Sequence, residues 1–224
     1  NYIEGNETKT WKFPQIILKP TAHILIFASE KNRTTVIDHW EVPVYANNPW
    51  KYFVGTSEPP AAWRDITFND ASWLTGAGGI GYGDGDDSTV IAPATSLYMR
   101  KSFTIADTSI IPIAALLMDF DDGIVAYLNN VEIARANVGV YGDHPPYNTF
   151  AYEEHEANLY QTGDFSAIWF VDQAALDSAI KPGANVLAVQ THNFSGGLDD
   201  LSSIPYLLIG VSDTTITYFP FPAD

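Results

Sequence analysis

The 224-residue chain contains no cysteine. Disulfide bonds, thiolate metal sites and thiol nucleophiles are therefore excluded. Basic residues are scarce: 11 Lys and Arg stand against 27 Asp and Glu, a formal charge of −16. So few cations cannot build a phosphate-binding face, which argues against nucleic acid and against anionic membrane surfaces. No apolar run approaches the roughly 18 residues of a membrane-spanning helix, so no membrane insertion is expected. Several catalytic signatures are also missing: G-x-S-x-G, H-E-x-x-H, the P-loop and the dinucleotide glycine pattern. The expectation is a protein that is not an enzyme. The chain opens at Asn1 and shows no signal-peptide pattern, read here as a cut or internal start. Its acidic excess suits an extracellular protein, secreted or held at the cell surface.

What is present favours strands. Charged residues make up only 17% of the chain and apolar residues 46%, enough to bury a full core. Sixteen Gly and 14 Pro supply turns between many short segments. Residues 16–18 and 24–27 are apolar runs around a Lys19-Pro20-Thr21 turn signal. Residues 38–63 carry Trp40, Trp50, Tyr52, Phe53 and Trp63 among prolines, read as irregular or short-stranded structure. Residues 97–105 alternate with period 2, Lys101 being the exception. Residues 114–118 form a buried strand running into Asp119. Residues 124–128 and 131–135 flank Asn129-Asn130, a two-residue hairpin turn, since Asn tolerates positive φ. Residues 139–165 read as a long acidic loop. A strand over 167–171 precedes a short helix over 173–180, capped by Asp172 and stopped at Lys181-Pro182-Gly183. Residues 185–191 and 204–211 are the last core strands, and 214–224 a tail or linker. The fold class is all-β: a two-sheet antiparallel β-sandwich with one short helix.

Five segments occur in an order that resembles one family: IGYGDGDDST, SLYMRKSFTI, DFDDGIVAYLNNVEIARANVG, KPGANVLAVQTHN and GLDDLSSIPYLLIG. They are similar to the galactose-binding-like jelly roll of bacterial, Bacteroidetes-type secreted proteins, and the likeness covers about residues 40–212. In those proteins a lamin-tail domain often precedes the jelly roll, and spore-coat-H-like or adhesion modules follow it. The N-terminal WKFPQIILKPTAHILIFASEKNR resembles the closing strands of a lamin-tail domain. The resemblance implies three parts: 1–36 as partial lamin-tail strands, 37–213 as the jelly roll and 214–224 as a tail. It also implies a non-catalytic carbohydrate-binding or adhesion module of a larger secreted protein. An alternative is a structural subunit of a filament or surface assembly, self-associating through strand complementation by its N-terminal strands. A glycan-active hydrolase is a third reading.

Four sets of residues are candidates for chemistry. Asp84, Asp86 and Asp87 lie in a Gly-rich turn that suits calcium, which takes carboxylate and carbonyl oxygens; Asx turns with no ion explain them equally. Asp119, Asp121 and Asp122 crowd three carboxylates into four positions, either sharing in a metal site or ending a strand. His192, Asn193 and Asp199 follow a core strand and either contact a ligand or serve structure. Tyr141, Tyr147 and Tyr152 lie in the acidic loop, where exposed rings suit the apolar faces of pyranoses in a glycan. Glu153, Glu154 and Glu156 are neighbours on that loop and read as solvated, since glycosidase acid–base pairs come from opposite walls of a cleft.

Overall fold

The computed structural model describes residues 2–4, 7–9, 37–83, 85, 87–159, 167–194 and 198–219. The chain divides into two compact units, 1–36 and 37–224. In the first, β1 (Tyr2–Glu4) and β2 (Glu7–Lys9) pair antiparallel. The expected strands at 16–18 and 24–27 lie outside the described residues.

The second unit is a two-sheet sandwich. Its elements run β3 (His39–Val44), β4 (Pro49–Val54), a 3-10 turn (Ala61–Arg64), β5 (Leu74–Ala77), β6 (Ile80–Tyr82) and β7 (Thr89–Val90). Then come β8 (Ser96–Ile105), β9 (Ile113–Asp121), β10 (Gly123–Leu128), β11 (Val131–Ala136), β12 (Ala167–Phe170), α1 (Gln173–Ala179), β13 (Gly183–His192) and β14 (Leu201–Val211). One sheet has the order β11-β10-β13-β8-β4-β5. The other runs β12-β9-β14-β6-β7, with β3 also on β14. Pairing is antiparallel except between β6 and β7. Residues 38–63, read as irregular or short-stranded, supply the six-residue strands β3 and β4; Pro43 sits in β3, which among the described residues pairs with β14 alone.

Period-2 alternation sets the core between the sheets. Leu97, Met99, Phe103 and Ile105 of β8 meet Leu116, Met118 and Phe120 of β9 and Leu207 and Ile209 of β14. The first sheet is covered on its other face as well. There Tyr98, Val125, Tyr127 and Ala188 pack under Trp63, Trp73 and Val138. This second cover explains why β10 and most of β13 are buried on both faces. Arg100, 2% exposed, fastens the cover: it donates to Asp70 at 2.9 Å, to the Asp65 carbonyl at 3.1 Å and to the Trp63 carbonyl. Lys101, the exception to the alternation, is half-buried and reaches the Pro49 carbonyl at 2.9 Å.

The tail is not a free linker over its described part. Tyr218 and Phe219 pack on the core, and their amides donate to the buried Glu41 carboxylate at 2.9 and 2.7 Å. Helix α1 starts as expected, Asp172 accepting from the Ala174 amide at 2.9 Å.

The turn at Asn129-Asn130 has φ of 48° and 70°, the type I′ geometry. Asn129 also does something its turn role does not require. Its side chain donates to the Ala179 carbonyl (2.7 Å) and to Asn185 Oδ1 (2.6 Å), and accepts from the Val186 amide (2.9 Å). It thereby ties the hairpin to the end of α1 and to β13. Asn129→Ala leaves buried partners unsatisfied and strains a positive φ, so a cost of about 2–4 kcal/mol is expected. Asn130→Gly, at a solvent-side turn position, should fall within about 0.5 kcal/mol of wild type. Urea unfolding of both variants checks the difference; equal effects would contradict it.

Candidate functional site: a loop held by buried polar side chains

The segment 137–159 crosses one side of the first sheet and reaches the end of β9 with almost no secondary structure of its own; a single bridge joins Ala151 to Phe194. A loop this long leaves many backbone groups to satisfy. Side chains projecting from the strands do that work. Arg135 donates to the carbonyls of Val138 (2.9 Å) and Asp143 (2.7 Å). Glu132 accepts from the Gly142 amide at 3.0 Å. Gln190 donates to the Pro145 carbonyl at 3.1 Å, and Ser96 to the Tyr147 carbonyl at 2.6 Å. Glu58 takes the Tyr147 amide at 2.8 Å, and His192 Nδ1 lies 2.8 Å from the Thr149 carbonyl. Asn137 reaches the Glu153 carbonyl at 2.6 Å.

Glu132 and Arg135 themselves form a two-pronged ion pair, at 2.8 and 2.9 Å, on a strand where residues three apart should face opposite ways. A bulge explains it. Ala134 stands opposite Ala126, but Glu132 stands opposite Tyr127, leaving Ile133 as the extra residue. That slip turns Glu132 and Arg135 to one face. Period-2 reading of the sequence hides the pair for this reason.

The three carboxylates at the end of β9 divide their labour. Asp119 accepts from the amides of Asn158 (2.9 Å) and Leu159 (2.6 Å). Asp122 accepts from the amides of His155 (2.8 Å) and Phe194 (2.6 Å). Both act as anchors for loops. His155 is fixed further, its ring stacked on Phe120 at 4.1 Å and its Nδ1 2.9 Å from the Phe120 carbonyl. Asp121 is different. It turns toward Glu156 of the loop and Asp200 before β14, and one oxygen of each lies within 4.8 Å of the others. Burial, then the charges of Asp122, Asp200 and Glu156, push the Asp121 carboxyl up to about 9. Three carboxylates in that space suit a hard cation such as calcium, which offsets their repulsion and takes oxygen ligands.

The glycine-rich turn comes near the same place. Asp84 and Asp86 lie outside the described residues, but Asp87 Oδ1 is 3.4 Å from Ser202 Oγ, and Ser202 is the cross-strand partner of Asp121. Gly83 in this turn has φ of 114°, and a Cβ there would stand 2.4 Å from the Asp199 carbonyl oxygen, so only glycine fits. Asp199 is exposed. Neither Glu156 nor Asp200 could be picked as a partner of Asp121 from sequence, because 35 and 79 residues separate them along the chain.

His192 and Asn193 are enclosed rather than presented. Asn193 donates to Tyr82 Oη at 2.9 Å and to the Asp200 carbonyl. His192 has no exposed surface, and its second nitrogen meets Gln190 at 2.8 Å. Neither offers an atom to an outside ligand. Of the tyrosines, Tyr147 is half-buried against the outer cover of the sheet, whereas Tyr141 and Tyr152 are 78% and 65% exposed. The loop therefore hides many of its backbone bonds and shows the rings of Tyr141, Phe150 and Tyr152.

No family model matches the chain, and no curated protein does. Among solved structures it is similar to the Bacteroides uniformis β-glucuronidase 2, at 12% identity and TM-score 0.46, over 76% of this chain and 18% of that one. A glycoside hydrolase family 2 β-glucuronidase matches at 16% identity and TM-score 0.45, over 83% and 18%. A Ruminococcus gnavus β-glucuronidase matches at 10% identity and TM-score 0.44, over 78% and 30%. The chain thus spans less than a third of those proteins. At TM-scores below 0.5 these likenesses carry no functional inference.

Burial lowers the His192 imidazole to about 4, so it is neutral in the folded protein near neutral pH. A depressed value means that the unfolded chain binds the extra proton between about pH 4 and 6.5. Stability should therefore rise with pH across that window, this residue contributing roughly 3 kcal/mol. His192→Asn should flatten that part of the profile in urea unfolding at pH 4.5 and 7. An unchanged slope would count against the buried, neutral ring.

Proposed function

We propose that the chain is a non-catalytic carbohydrate-recognition module of a longer secreted or cell-surface protein. The observation that carries this reading is the loop 137–159, fixed by strand side chains while Tyr141 and Tyr152 stand exposed on it. A rigid loop bearing aromatic rings loses little entropy on contact, which is what sugar recognition by stacking requires. The resemblance of the sequence to galactose-binding-like jelly rolls supports the same reading.

Catalysis is less well supported. A buried acid beside an exposed carboxylate, as in Asp121 and Glu156, is a pairing that glycosidases use. Yet neither of them, nor Asp200, lines the depression of about 450 Å³ beside β11. Glu153 and Glu154 are exposed neighbours on one loop rather than facing walls. The filament alternative rests on the N-terminal strands within 1–36, most of which lie outside the described residues, and on the tail ITYFPFP, whose Tyr218 and Phe219 pack on this chain's own core.

Calcium belongs to this proposal as a structural ion. Held by Asp121, Glu156 and Asp200, it would join the loop to the ends of β9 and β14, adding one more anchor. After EDTA treatment, saturating calcium should raise the melting temperature by roughly 5–10 °C, the effect of binding at about 100 times Kd on a chain of this size. Asp121→Asn combined with Glu156→Gln should abolish the rise. The pH dependence has a defined sign. The Asp121 carboxyl sits above its ordinary value of 3.8, so the folded metal-free protein holds the proton and stability falls as pH rises toward 9. Calcium displaces that proton and should remove the fall. A melting curve indifferent to calcium at pH 8 would dismiss the ion.

A glycan array probed with the whole chain tests recognition itself. Binding to one or more glycans is expected, weakened several-fold by chelator because the loop loses an anchor. No binding across a broad array, with and without calcium, would overturn the reading.

A further inference from the structure

A depression of about 450 Å³ lies where the two sheets end side by side. Its floor is the whole of β11 from Glu132 onward with Asn137, Trp169 of β12 comes from the other sheet, and Tyr141 stands at its rim. β11 is a sheet edge: it pairs with β10 on one side and with no described strand on the other. We propose that this groove is the sugar subsite, and that its ligand is a neutral pyranose bound between Tyr141 and the open edge of β11. The proposal rests on the carbohydrate reading above and names the place and class of ligand.

Three observations favour it. The first is the backing of Tyr141. An exposed aromatic ring alone means little. Here the backbone on both sides of it is bonded to the Glu132–Arg135 pair, through Gly142, Asp143 and Val138, so the backbone that carries the ring is fixed beside the groove. Tyr152, also exposed, does not line the depression. The second is the range of chemistry within reach. Trp169 and Tyr141 offer apolar faces, and the open edge of β11 offers backbone donors and acceptors, the combination that reads ring faces and hydroxyls. The third is charge. Among the described residues, the only full charges lining the groove, Glu132 and Arg135, are already bonded to each other at 2.8 and 2.9 Å. An acidic sugar would find no free cation there, on a protein of net charge −16. The size also suits one or two sugar rings, since small-ligand sites run from about 300 to 1,000 Å³. An extended peptide added to β11 is disfavoured, because the chain leaves the strand at once: Asn137 and Gly139 have φ of 57° and 55°.

The test is calorimetric titration of the whole chain with neutral hexose di- and trisaccharides and with uronate-containing counterparts, alongside amide NMR mapping. The expected result is binding of a neutral saccharide with shifts at Ile133, Asn137 and Gly139. Tyr141→Ala should weaken it about tenfold or more, Tyr152→Ala should leave it within about twofold, and uronates should bind about tenfold less tightly. If the wild type binds a saccharide and Tyr141→Ala binds it equally, the groove is refuted while the module remains a sugar binder. Tighter binding of uronates overturns the neutral class. Protection of β11 amides by an extended peptide, without sugar binding, assigns the groove to strand addition and sinks the proposal. If no saccharide binds, this inference and the parent reading fall together.

Discussion

A loop of more than twenty residues with a single bridge to the rest of the fold must satisfy most of its hydrogen bonds otherwise, and in this protein many go to side chains from the strands and their ends. Glu132, Arg135, Gln190, His192, Ser96, Asp119 and Asp122 are unusual residues for the faces of a sandwich. Each is placed where an amide or carbonyl of 137–159 would otherwise go unsatisfied. Burying so many polar groups is tolerable only because each is paired. Once they are paired, the loop has little freedom left.

That arrangement separates support from display. The anchoring polar groups face inward, and the exposed side chains of the loop include aromatic rings beside acidic residues, with Tyr141 lining a groove and Tyr152 farther along. The acidic trio of Asp121, Glu156 and Asp200 lies at the far end of the same loop. A cation there would restrain the loop at its exit as Arg135 restrains it at its entry. On the proposed reading, recognition and ion binding would be two uses of one scaffold rather than separate sites.

Much of the fold could be read from the chain. Alternation located β8, the apolar stretch 185–191 located β13, Asn129-Asn130 marked its turn, and Asp172 marked the start of α1. These signals are local, so sequence holds them. The candidate site was legible in pieces. Asp119, Asp121 and Asp122 were visible as a crowded group, but which carboxylate anchors a loop and which faces a neighbour depends on Phe194, Glu156 and Asp200, far away in the chain. His192 and Asn193 attracted a ligand reading because they end a strand beside a loop; the loop folds back over them and encloses them. The Glu132–Arg135 pair was invisible because a bulge at Ile133 breaks the alternation on which the reading depends.

The account stands on the rigidity of the loop, which hydrogen–deuterium exchange measures directly. The amides of Gly142, Tyr147, Ala151, His155 and Leu159 donate inward. They should be protected to a degree approaching the strands β9 and β13, while the unbonded amides between them exchange freely. Exchange of all these amides at the rates of an unstructured peptide would contradict the account, and with it the reading of Tyr141 as a positioned contact.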